Sequence, residues 1–496
     1  MCPTSIARAP HPTTTTATVP NLLYSMSSSD VPRDALSRSL VIAVLGFLLS
    51  IAVIDEVAAS NAAVALSDAS SRTIAVPQWL YLATGGAVIG ASAILASVVT
   101  DRSFIRSMHD WQKAVPMWAP IRRGALYLAQ LLGVAGLAIV IYRGFVGPQI
   151  PTVNVAIILV FGGVRAGLTM VVYLVGNVWP ALNPWRTIAR RLPTLGRTYP
   201  SRVGRWPAVG GLLLLVWLET VMPVNKVPAM LATAICAYTV ITLVGAIVYT
   251  PESWFSNADP VSVTFHFYGQ VAPLRWSADG VTLRPPGFDL RESGAVATTA
   301  DIAFIVALIW ELTFSGFVTT STGVSFITAV VDTGVPPLVV YALLFVLGYA
   351  LFLGAFRFAS RVTRRTGETY LPPRTIALRF APPLLAIAVG YHLAHYFGFF
   401  VSLLPSLIPA VVSPLSPPAN PVVLTLPEWF GGLVIGFVLV GHLLAVWVAH
   451  SQAYATFPSR LQAIRSQYPF ILVMIGYTII SLWLVSLPTA SPAFVS

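Results

Sequence analysis

Charge is what this chain has least of. Only 9% of its 496 residues are Asp, Glu, Lys or Arg, whereas a soluble chain of this size carries roughly a quarter. Together with 56% hydrophobic residues, that scarcity excludes an ordinary soluble domain. It predicts an all-α polytopic bundle of transmembrane helices. Cysteine is almost missing: Cys2 lies in a polar N-terminal tail and Cys236 inside an apolar run. A disulfide framework, a cysteine metal site and an iron–sulfur cluster are excluded with it. Nucleotide signatures are missing too. There is no Walker A loop, no dinucleotide fingerprint, no Gly-x-Ser-x-Gly elbow and no His-Glu-x-x-His pair, so no nucleotide cofactor is expected. ATP-driven transport by this chain alone and serine-hydrolase chemistry are disfavoured for the same reason.

The charge that is present is unevenly placed. The net charge of +11 would suit nucleic acid, but the basic residues cluster in short loops between apolar runs. There they meet anionic headgroups, so the expected partner is the lipid bilayer and not nucleic acid. Spans are predicted at about 77–99, 124–146, 152–176, 207–222, 227–249, 299–322, 336–357, 379–402, 429–450 and 468–488, each near the ~20 residues that cross a membrane. A shorter run at 39–54 reads equally as a cleaved signal peptide or a first helix, giving 10–11 spans in all. The loops at 100–123, 176–205, 357–379 and 451–468 hold nineteen basic residues, and the alternating loops hold one, Lys226. The positive-inside rule then predicts a cytoplasmic N-terminus, an external C-terminus and a multi-pass protein of the cell membrane.

Residues 1–37 read as a disordered tail, in which Met26 offers an alternative start, and 38–76 as the signal-like segment with a short external stretch. Membrane helices fill 77–249 and 299–488, and 489–496 is a short external tail. The 250–298 loop is large enough to fold. Alternation in VSVTFHFYG and WSADGVTLR predicts a small β-hairpin cap on the cytoplasmic face. Asn183–Pro184 makes a good helix start, with Trp179 and Trp185 at the interface and Arg186, Arg190 and Arg191 in the headgroup layer.

Ionisable residues inside apolar runs are the candidates for chemistry, because burying them in hydrocarbon is costly. By residue count, Arg165, Glu311, Glu219, His392 and His442 fall roughly 12–20 Å from the Arg-rich boundary. His395 lies a turn beyond His392, and His450 at the inner edge. Four of the seven histidines thus sit on two neighbouring runs. The i,i+3 spacing of His392 and His395 places them on one broad helix face. Imidazoles suit zinc, copper, iron or nickel, so His392, His395 and His442, with His450 peripheral, are read as ligands of a divalent or transition metal. Stacked haems fit the spacing poorly. Arg165, Glu311 and Glu219 are candidates for charge stabilisation and general base. The plainer reading stands beside each: an Arg165–Glu311 structural pair, a Glu219 that reaches water, and histidines that pack or relay protons.

Several segments together resemble the polytopic membrane family known as fenitrothion hydrolases. They are VPQWLYLATGGAVIGAS, GNVWPALNPWR, LVWLETVMP with AYTVITLVGAIVY, LTFSGFVTT, YHLAHYF and GHLLAVWVAH, in order from about residue 77 to 455. Two positions depart from the pattern: Ser315 stands where the family has an acid, and Ser451 follows His450 where the family often has Asp. The resemblance implies hydrolysis of organophosphate-type esters at the membrane, with a second membrane subunit as a partner; joined to the histidine reading, it gives a metal-dependent hydrolase. Two other classes stay open: a proton- or ion-coupled secondary transporter, and a non-catalytic subunit of a membrane complex.

Overall fold

The computed structural model describes residues 111–277, 280–292, 294–417, 422–427, 429–488 and 490–494, together with Gly90. The span expected at 77–99 and the run at 39–54 lie outside these residues, as does the polar tail.

Among the described residues, apolar composition translates directly into helices. In chain order these are α1 (Ala119–Val146), α2 (Val155–Leu174), α3 (Trp179–Leu182), α4 (Pro184–Ala189), α5 (Trp206–Val221) and α6 (Pro228–Tyr249). Then come α7 (Pro251–Asn257), α8 (Pro260–Gly269), α9 (Thr299–Val318), α10 (Ser321–Val331) and α11 (Pro337–Thr366). The chain ends on α12 (Pro373–Phe380), α13 (Pro382–Val412), α14 (Phe430–Thr456) and α15 (Arg460–Ser486). Eight helical segments are long and apolar enough to cross a bilayer: α1, α2, α6, α9, α11, α12 with α13, α14 and α15. Helix α5, at 16 residues, is shorter. An all-α membrane bundle follows.

Local chemistry sets the helix ends. Proline stands in the first turn of most of these helices, where its missing N–H costs nothing. Asn183 caps α4 by accepting from Arg186 N at 2.9 Å, with Pro184 following. Thr298 and Asp301 form a reciprocal capping box on α9. Helix α9 is the axis of the bundle, buried along nearly its whole length. Helix α1 is the opposite case, exposing Leu128, Leu131 and Leu132 on its outer side. Helices α13 and α14 cross backbone to backbone: a Cβ built on Gly390 would stand 2.8 Å from Gly441 Cα. Only glycine permits that approach.

The 250–298 segment corrects one expectation. VSVTFHFYG is helical, forming α8, although its pattern alternates. Asp259 accepts from Ser262 N at 2.7 Å and Pro260 opens the first turn, so the start signal is that of a helix. Its apolar residues are then buried on several sides: Val263, Phe265, Phe267 and Tyr268 are all covered, which removes the one-faced environment that alternation implies. A hairpin does follow, from β2 (Leu274–Trp276) to β3 (Gly280–Leu283). Its third strand, β1 (Lys113–Pro116), comes from far earlier in the chain, and the antiparallel order is β1–β3–β2.

Candidate functional site

The centre of the bundle is built around one guanidinium. Helix α2 leaves regular α winding at Ile158–Leu168 and runs as a π-helix there, returning to α at Thr169. Runs of π geometry are uncommon and often mark functional positions. Arg165 sits in this stretch. Its Nε donates to Glu219 Oε2 of α5 at 3.2 Å, and its Nη2 donates to Glu311 Oε1 of α9. The guanidinium also lies over the Tyr396 ring of α13, 5.0 Å from its centroid. Four helices therefore contribute to one charged centre. Glu311 is almost fully covered, at 2% side-chain exposure, while Arg165 and Glu219 keep 21% and 17%. The centre is closed on the α9 side and partly open on the other.

His392 locks onto the same element from behind. One ring nitrogen, Nε2, lies 3.2 Å from the Arg165 carbonyl oxygen, and Nδ1 lies 3.2 Å from the Tyr173 hydroxyl. A carbonyl can only accept, so Nε2 carries the hydrogen and Nδ1 accepts from Tyr173. The neutral tautomer is thereby specified. Tyr396 stacks on the imidazole at 4.6 Å between centroids, and Tyr173 and Tyr268 approach it edge-on. The Tyr268 hydroxyl is buried in this shell without a hydrogen-bond partner among the described residues.

Of the other histidines, His395 joins this shell, and His442 and His450 do not. His395 stands edge-on to Tyr396 at 5.0 Å. His442 turns back on its own helix, with Nδ1 2.7 Å from the Val438 carbonyl, and its Nε2 is buried with no partner among the described residues. His450 meets Gln467 Oε1 at 3.3 Å and packs on Tyr454. It is fully buried, not at a solvated edge. The reason is that α14 continues to Thr456, and α15 with the segment before α9 covers that end, as the Gln452 bond to the Leu290 carbonyl shows.

The convergence of His392, His395 and His442 is thus not found. Among the described residues no group of three or more His, Cys, Asp or Glu side chains stands close enough to hold a metal ion. His392 and His395 share the Tyr396 ring while His442 turns back on its own helix and His450 meets Gln467, so the described donors do not make up a three-ligand metal centre. Ser315 is buried on α9, one turn from Glu311, and Ser451 accepts from Arg291 Nε at 2.7 Å. Tyr173 and Tyr268 are the members of the site that sequence reading missed. Aromatic residues are so common in membrane helices that only their contact with His392 distinguishes them.

Outside the membrane helices, His266 of α8 is held neutral. Burial, and then the positive charge of Arg205, lower its pKa to about 4. Arg205 itself pairs with Asp301 at 3.0 Å, tying the start of α5 to the cap of α9.

No known protein family, curated protein or solved structure matches the chain.

Proposed function

We propose that this membrane protein is a proton-coupled secondary transporter whose coupling site is the Arg165–Glu219–Glu311 centre. The observation that carries this reading is one guanidinium shared by carboxylates from two different helices. With both acids ionised the centre bears a net charge of −1. Taking up one proton makes it neutral, and in a low-dielectric interior that difference alters which helix packing is favoured. The carboxylate that releases Arg165 on protonation is also released from its helix neighbour. A change of proton occupancy then becomes a change of contact between α2, α5 and α9. The buried Tyr396 ring packs on the guanidinium, and His392 holds the Arg165 backbone in place. The Arg-rich loops orient the protein with those loops in the cytoplasm of the cell.

Reconstituted proteoliposomes with an internal pH-sensitive dye test this directly. An imposed pH gradient should drive proton entry coupled to solute movement in the wild type, and E311Q should abolish it while the variant still inserts. Undiminished proton coupling in both E311Q and E219Q would remove the reading.

A second reading follows the resemblance to membrane hydrolases, with or without a second membrane subunit. It draws on the partial exposure of Glu219 beside Arg165, a base next to a group that offsets developing negative charge. No metal step is part of it, since the donors lie apart. Release of a nitrophenol from an organophosphate triester by purified protein, lost in E219Q, would favour it over transport.

A further inference from the structure

Helix α11 is longer than a bilayer requires. Its 30 residues span about 45 Å at 1.5 Å per residue, against a hydrocarbon core of ~30 Å. Counting from Pro337, Arg361 stands about 36 Å along the axis and Arg365 about 42 Å, which is headgroup depth and not bulk water. Here the chain turns into α12, and a cavity of about 620 Å³ opens between the two helices. Arg361, Arg364 and Arg365 line it, with Glu368, Tyr370 and Pro373.

The balance of charge in this cavity is unresolved by the protein itself. Arg361 is one turn from both Arg364 and Arg365, at i,i+3 and i,i+4, where like charges repel. Arg364 and Arg365 lie in the last turn and suit the negative end of the helix dipole, but Arg361 lies a turn earlier. The acid in the cavity, Glu368, pairs instead with Arg465 at 3.4 Å. Among the described residues none of the three arginines forms an ion pair. Tyr370, 99% exposed, projects beside them; a tyrosine with an apolar ring and a polar tip belongs at a membrane interface.

We propose that this cavity binds the phosphodiester headgroup of an anionic phospholipid. Arginine forks match phosphate oxygens bidentately, the depth is that of the headgroup layer, and the volume admits a glycerophosphate headgroup. The site is separate from the Arg165 centre and stands whether or not the transport reading does.

Native mass spectrometry of the full chain in detergent, titrated with phosphatidylglycerol or phosphatidylcholine, tests it. The wild type should retain phosphatidylglycerol in preference to phosphatidylcholine. The triple variant R361Q/R364Q/R365Q should lose about a hundredfold in phosphatidylglycerol affinity, the weight of three basic residues at an anionic surface. The control R197Q/R202Q, which removes exposed arginines of another loop, should keep the preference, and R361K/R364K/R365K should restore part of it. Equal retention of the two lipids by the wild type would overturn the proposal. So would unchanged phosphatidylglycerol binding in the triple variant, an equal loss in the control, or inorganic phosphate displacing the lipid at equal concentration.

Discussion

Two groups of ionisable side chains lie inside this bundle, and they are satisfied in opposite ways. Around Arg165 the partners come from distant parts of the chain: Glu219 on α5, Glu311 on α9 and the Tyr396 ring on α13. On the histidine hairpin of α13 and α14 the partners are neutral groups: His392 meets the Tyr173 hydroxyl and the Arg165 carbonyl of α2, His442 the Val438 carbonyl of its own helix, and His450 the Gln467 amide. The difference lies in charge. A guanidinium cannot lose its proton, so an unpaired one in hydrocarbon costs several kcal/mol and must recruit carboxylates. An imidazole can stay neutral, and a single carbonyl or amide then suffices. Permanent charge must gather carboxylates from other helices, whereas a neutral histidine is satisfied by whichever carbonyl, hydroxyl or amide lies within reach.

That contrast is open to attack, most strongly at Arg165. R165M leaves two carboxylates facing each other and should destabilise the protein by about 3–5 kcal/mol, read as a lowered melting temperature in detergent. R165M/E219Q/E311Q should recover much of the loss, because no charge remains uncompensated. If R165M melts like the wild type, the charged centre does not hold the helices together.

Smaller effects are expected where one partner of several is lost. H392L removes the buried acceptor for the Tyr173 hydroxyl and the part-buried donor to the Arg165 carbonyl, and should cost about 1–3 kcal/mol. Y173F should cost less, since His392 keeps its bond to the carbonyl. A double-mutant cycle checks whether the two act through one contact. H442L should change stability by less than about 1 kcal/mol, because its Nε2 has no partner among the described residues and the Val438 carbonyl already belongs to the helix ladder. A loss as large as that of H392L would show that the two histidine environments are alike after all.

The smallest effect concerns pH. His266 is neutral in the folded protein down to about pH 4, while in the unfolded chain it takes up a proton near 6.5. The unfolded state therefore binds more protons between those values, and stability falls as pH drops through that window. H266Q should lessen the acid sensitivity there, seen as a flatter dependence of melting temperature on pH from 6.5 to 4.

Much of this was legible in the residues themselves. Apolar runs predicted the helices from α1 to α15 that cross or nearly cross the membrane, since a run with few charges has no other way to satisfy its backbone in lipid. The Arg165–Glu311 contact was legible as well, because two opposite charges at one depth have few alternatives to each other. Glu219 was harder to place: near the end of its apolar run, its reach to Arg165 depended on how α5 packs. VSVTFHFYG misled, since its alternation is a strand signal only where one face meets solvent, and here the surrounding helices cover more than one.

The sequence by itself determined the fold class and which charges fall inside apolar runs, because hydrophobicity and the cost of burying charge act residue by residue. Only the tertiary structure decided which groups meet. Equal depth on neighbouring helices leaves rotation about each helix axis free. The Gly390–Gly441 crossing of α13 on α14 sets that rotation, giving His392 to Tyr173 and the Arg165 backbone while leaving His442 on its own helix. The π winding of α2 likewise places Arg165 between two carboxylates, and no single run of residues encodes it, because it is stabilised by partners on α5, α9 and α13.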